Sequence, residues 1–111
     1  MSTKAETTGG VTIVTPGMAA LDAASTRDFK RQMAPILREH HRVVLDLSQV
    51  AFVDSSGLAA ILSCLRELNA AGGDLKLCGV SAAVRTLFEM VRLHRIMDIL
   101  PTREAALAAW D

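Results

Sequence analysis

The sequence predicts an α/β domain: a mixed, mostly parallel β-sheet of four to five strands with about four α-helices. Two observations lead there. Short apolar runs of strand length alternate with longer stretches whose apolar residues recur every three to four positions. Strands alternating with helices imply right-handed crossovers between parallel neighbours. Length sets the count, since 111 residues suffice for one real core but not for two domains.

The first ten residues, MSTKAETTGG, are polar and show no strand pattern. They are expected to form a flexible segment, with the folded domain spanning residues 11–111. "VTIVTPG", residues 11–17, reads as a short strand ended by Pro and Gly. A helix follows at "LDAASTRDF", with Ser25 as its N-cap and Asp28 three residues later. Phe29, Met33, Ile36 and Leu37 share one face of it. Pro35 predicts a kink or break, because an interior proline costs about 3 kcal/mol.

"RVVLDL", residues 42–47, suits a central strand covered on both faces and parallel to the strand at 75–78. "SQVAFV" connects it to Asp54. Leu58, Ile61, Leu62, Leu65 and Leu68 mark a second amphipathic helix, which Gly72 and Gly73 stop. "DLKLCGV" is the next strand. Ser81 then caps a third helix carrying Val84, Leu87, Phe88 and Val91. "IMDIL" reads as a last short strand, and Thr102 caps a terminal helix with Leu107 and Trp110 on its inner face.

Composition excludes several function classes. Twelve basic side chains balance twelve acidic ones, whereas a nucleic-acid grip needs a basic face. Three Phe, one Trp and no Tyr make a poor base-stacking platform. No apolar run approaches the roughly 18 to 20 residues that cross a bilayer, and the polar start lacks a secretory signal's apolar centre. A cytoplasmic protein without membrane insertion is expected. Cys64 and Cys78 lack metal-type spacing and read as inert buried thiols.

One stretch stands out. "VDSSGLAAIL", residues 53–62, sets Asp54, Ser55, Ser56 and Gly57 at the start of the second helix, after the strand ending near Leu47. In open parallel sheets, sites lie beyond the carboxyl ends of the strands. A hydrolytic serine needs a base and a G-x-S-x-G elbow; here the run is D-S-S-G-L, and His40, His41 and His94 carry no triad signature. No phosphate-binding glycine loop is present, and Asp46, Asp54 and Asp74 have no catalytic pairing.

Two readings of the serines remain. Ser and Asp are favoured N-caps, so a cap alone explains one of them. A cap does not require a second serine, an adjacent acid and a glycine together. A helix N-terminus also accommodates a phosphate, because its free N–H groups and dipole favour an anion. A hydroxyl held there can be modified without unfolding its own domain.

The stretch D-L-S-x-V-x-F-V-D-S-S-G-L followed by G-G-x-L-x-L resembles the STAS domain, in particular the bacterial anti-sigma factor antagonists. The likeness runs from about Leu21 to the terminal helix. It implies a single STAS-type domain that is no enzyme and needs no cofactor of its own. It implies that Ser55 is phosphorylated by an anti-sigma factor serine kinase, which supplies ATP and Mg²⁺, and that a PP2C-type serine phosphatase reverses the modification. The unphosphorylated form would bind the kinase and free its sigma factor.

The resemblance also places Asp22, Asp54, Ser56, Gly57 and Leu58 at the partner surface, with Asp54 orienting the loop and Ser56 and Gly57 forming the helix start. Two departures stand out. MSTKAETTGG shows no strand pattern, which leaves the family's first edge strand short or missing here, and its G-x-L-D is stretched to G-M-A-A-L-D. Two further readings carry the same resemblance: a STAS subunit of a membrane lipid or anion transport assembly that is not phosphorylated, and a scaffold subunit of a stress-sensing complex.

Overall fold

The computed structural model describes residues 3–110. Seven strands and four α-helices follow one another: β1 (Lys4–Thr8), β2 (Val11–Thr15), β3 (Ala20–Leu21), α1 (Thr26–Glu39), β4 (Arg42–Asp46), β5 (Phe52–Val53), α2 (Ser55–Ala70), β6 (Asp74–Cys78), α3 (Ala82–Met90), β7 (Ile99–Leu100) and α4 (Arg103–Ala108). The main sheet has the order β1-β2-β4-β6-β7. Only β1 runs antiparallel to its neighbour, so the expected mixed, mostly parallel sheet is present. As expected, β4 lies at its centre and pairs in parallel with β6.

Side-chain alternation divides the strands between two faces. Val14, Val43, Leu45, Leu75 and Leu77 join Phe29, Met33, Ile61, Leu65 and Phe88 in the large core beneath α1, α2 and α3. Val11, Ile13, Val44 and Cys78 face the other way, under Ala106, Leu107 and Trp110 of the C-terminal segment.

Two charged residues interrupt that second face, and each is paired. Asp46 accepts a 2.6 Å hydrogen bond from Arg103 Nε, while Arg103 Nη2 donates to Thr15 Oγ1 at 2.7 Å. Burial opposes ionisation of Asp46, but Arg103 and the Ser48 amide together hold its carboxyl below the usual value. Lys76 Nζ donates to Asp98 at 2.6 Å and lies 4.5 Å from the centre of the Trp110 ring. Both thiols are buried, and desolvation pushes Cys64 and Cys78 up to about 11, which keeps them protonated and unreactive.

Three local expectations need correction. Residues 4–8, assigned to a flexible segment, form β1. All five of its side chains are exposed, so no hydrophobic pattern announces it. Its order comes from backbone pairing with β2 across the two-residue Gly9–Gly10 loop, whose φ angles of 58° and 82° suit a tight hairpin. The edge strand missing from the pattern is therefore present.

Secondly, of the kink or break expected at Pro35, the break is absent, and α1 runs through it from Thr26 to Glu39. The proline ring is exposed, so the Arg31 carbonyl it deprives of a partner can be hydrated. Thirdly, Ser25 occupies the N-cap of α1 without capping it. Its hydroxyl donates instead to the Ala20 carbonyl at 2.7 Å.

Candidate functional site

The D-S-S-G stretch lies beyond the carboxyl end of β4, where the chain passes through β5 into α2. There β5 pairs in parallel with β3, forming a second, two-stranded sheet. The pairing continues past the strands, with the Asp54 N–H donating to the Leu21 carbonyl at 3.1 Å. It brings the loop after β3, with Asp22, beside the start of α2. Sequence distance had hidden this contact between residues some thirty positions apart.

Asp54 organises the junction. Its backbone is extended, and its Oδ1 accepts from the Gly57 N–H at 2.9 Å. Oδ2 accepts from the Ala23 N–H at 3.2 Å, tying α2 to the neighbouring loop. That loop is braced in turn by Asp22, whose Oδ1 accepts from the Ala24 and Ser25 N–H groups, both at 3.1 Å. One carboxylate thus performs the capping expected of a serine. Ser56 and Gly57 lie at the helix start as expected, in the first turn of α2, with Asp54 as the cap before them and Ser55 as the first helical residue.

Ser55 is exposed, and Ser56 and Asp54 are half-buried. The amides of the first helical turn at Ser55 and Ser56 are not used by the cap, so the hydroxyl stands where an added anion meets unsatisfied N–H groups. Both Asp54 oxygens already accept backbone N–H groups, so this carboxylate is a brace and not a poised base. His40 and His41 precede β4 and lie at its opposite end. Among the described residues, no group of three or more His, Cys, Asp or Glu side chains is placed to hold a metal ion. No helix among the described residues is long and apolar enough to cross a membrane.

Leu58 is partly buried and packs on the main core, leaving one edge outward. Gly57, expected at the partner surface, is buried. A Cβ added there would stand 2.0 Å from the Leu21 carbonyl oxygen, so this glycine allows α2 to close on β3. It does not offer a contact surface. Sequence reading also missed a groove of about 280 Å³ beside the site, between β5 and α3. The one available signal was Phe52, an aromatic residue in a segment too short to show alternation.

Comparison with known proteins identifies the family and the fold. The family model described as the STAS domain matches residues 2–106. A relative from Bordetella bronchiseptica, BtrV, named as an anti-sigma factor antagonist, is 31% identical over 91 residues, covering 81% of this chain and 78% of its own length. The structure of a Thermotoga maritima protein named as an anti-sigma factor antagonist superposes with a TM-score of 0.87 at 23% identity, covering 96% of this chain and 92% of that one. Murine solute carrier 26 member A9, an anion transporter, superposes with a TM-score of 0.81 at 21% identity, covering 93% of this chain but 18% of the transporter. The two structural likenesses concern the fold alone. With a family model spanning almost the whole chain and the D-S-S-G junction built as described, the chain belongs to the STAS domain family.

Proposed function

We propose that this chain is an anti-sigma factor antagonist that works by partner switching, with Ser55 as its phosphoacceptor. The observation that carries this reading is the division of labour at the start of α2. Asp54 caps the helix, so the exposed Ser55 hydroxyl is not committed to holding its own fold. The relative from Bordetella bronchiseptica, by its name, supports the same role.

In its unphosphorylated form the chain binds an anti-sigma factor that is also a serine kinase, and the sigma factor is released. The Ser55 Oγ attacks the γ-phosphorus of the kinase's ATP, the bond to the ADP oxygen breaks, and the hydroxyl proton passes to a base on the kinase. A PP2C-type phosphatase hydrolyses the phosphoserine and restores the binding form. This chain supplies the acceptor and its positioning; the kinase supplies nucleotide, metal and base.

Phosphate adds about −1.5 to −2 charge at pH 7. Asp54 and Asp22 stand on the same small surface, so the new charge meets carboxylates as well as an interface shaped for a neutral hydroxyl. A loss of about 3 kcal/mol weakens binding more than a hundredfold.

The test is mass spectrometry after incubation with ATP and the cognate kinase, together with binding titrations. One phosphate should appear on Ser55. Ser55→Ala should bind and accept none, and Ser55→Asp should lose binding with an unchanged melting temperature. Label on Ser56 alone, or on neither serine with the kinase active, overturns the assignment.

A further inference from the structure

The two faces of the sheet are covered very differently. Helices α1, α2 and α3 seal one face with a core that includes Phe29, Met33, Ile61, Leu68 and Phe88. The other face carries Val11, Ile13, Val44 and Cys78, and its cover is the short segment after β7. In that segment α4 has six residues, of which Ala106 is the buried one. Leu107 and Trp110 are half-buried. A helix this short is marginal by itself, so its order depends on docking. None of its residues belongs to the main core.

Docking is held at both ends of the segment. At the start, Arg103 reaches three strands. Its Nε donates to Asp46 of β4 at 2.6 Å, its Nη2 to Thr15 of β2 at 2.7 Å, and its Nη1 to Glu6 of β1 at 3.3 Å. At the end, the Trp110 ring lies under Lys76 Nζ, which is bonded to Asp98. The seat of Trp110 is imperfect. Its indole N–H is buried and has no hydrogen-bond partner among the described residues. An unpaired buried donor loses its water without compensation, which favours the undocked state. Pro101 and Thr102, both exposed, join the segment to β7 and offer a hinge outside either core.

We propose that residues 102–110 form a strap that swings off the second face of the sheet as one unit, with Arg103 as its latch, while the main core and the Ser55 site stay folded. Segments with few buried contacts open at a lower free energy than the core does. Release uncovers Val11, Ile13, Val44 and Cys78 together, so the strap is a reversible cover over an apolar sheet face. The strands beneath it stay in place, because their packing on α1, α2 and α3 involves no residue of the strap.

Cys78 is fully buried beneath the strap and serves as the reporter. Its labelling by an aromatic disulfide reagent is followed in a Cys64→Ala chain, at urea concentrations below the unfolding transition. Amide hydrogen exchange of the unaltered chain, read by NMR, accompanies it and needs no substitution. Cys78 should be labelled about tenfold faster, or more, than global unfolding allows. The rate should be nearly independent of urea, because the opening exposes little surface. Arg103→Met should raise that urea-independent rate about fivefold or more, as loss of a charged hydrogen bond does. The Ala106 N–H, bonded to the Thr102 carbonyl, should exchange through the same opening. The amides of β4, a strand paired on both sides, should keep the protection of global unfolding.

Labelling that rises with urea along the full slope of unfolding means that Cys78 is reached only when the whole chain opens, and overturns the proposal. Fast labelling that Arg103→Met leaves unchanged assigns the opening to another element and overturns it too. Low protection at Ala106, with Cys78 labelled only on global unfolding, is fraying of α4 in place and has the same consequence.

Discussion

Helices α2 and α3 begin with the same bond made by different residues. In α3 the Ser81 hydroxyl accepts from the Val84 N–H at 3.3 Å; in α2 the Asp54 carboxylate accepts from the Gly57 N–H at 2.9 Å. In both, the cap reaches the third helical residue. The consequence differs. Ser81 spends its hydroxyl on its own helix, whereas Asp54 leaves Ser55 and Ser56 outside the cap. The third position differs too: Val84 fills core space, while Gly57 yields it to the Leu21 carbonyl. A serine near a helix start is thus spent on the cap or left free of it according to which residue precedes it.

The largest effect is expected at Gly57. Gly57→Ala puts a methyl group 2.0 Å from the Leu21 carbonyl oxygen, which α2 can relieve only by moving off β3. A loss of about 3 kcal/mol, at the upper end of overpacking effects, should appear as a lowered urea midpoint. Gly57→Trp should fail to fold, so it cannot probe docking at a preserved structure. A wild-type midpoint for Gly57→Ala would remove the close approach from the comparison.

Arg103→Met, far from both helix starts, separates global stability from the site. It leaves the buried Asp46 carboxylate without its guanidinium, a loss of about 1–3 kcal/mol. The pH dependence has a definite sign. Asp46 titrates lower in the folded chain than in the unfolded one, so its stabilisation is present above the unfolded value of about 3.9 and disappears as pH falls through the folded value. Acid melts should therefore show a shallower decline for Arg103→Met than for the wild type. Ser55 labelling should be unchanged, and its loss would couple the second face of the sheet to the site.

The two caps themselves give the smallest stability changes and the sharpest contrast. Asp54→Ala and Ser81→Ala should each lower stability by about 1–2 kcal/mol in thermal melts. Asp54→Ala should fall at the upper end, because the bond to Ala23 goes as well. Only Asp54→Ala should also slow phosphorylation of Ser55. Ser56→Ala, which would remove a cap only if Ser56 were the capping serine, should be nearly silent because Asp54 caps α2. Equal labelling rates for Asp54→Ala and Ser81→Ala would show that the brace does not position the acceptor.

The sequence by itself determined the parts in which pattern and environment coincide. The apolar run at β4 is covered on both faces, as such runs are. The spacing of Ile61, Leu65 and Leu68 placed the buried side of α2, and Ser81 and Thr102 cap α3 and α4 through local bonds that residue types announce. The D-S-S-G run was legible as a helix start for the same reason, being local. Tertiary structure decided what depends on distant neighbours. The strand β1 exists through pairing with β2 and not through its own exposed side chains, and β3 and β5 are too short to carry any period. The burial of Gly57 depends on Leu21, and the tolerance of Asp46 and Lys76 inside the sheet depends on Arg103, Asp98 and Trp110. The exposure of Phe52 beside Ser55 depends on where α3 packs. Periodicity reports which side of an element is apolar; only the packed chain determines what that side meets.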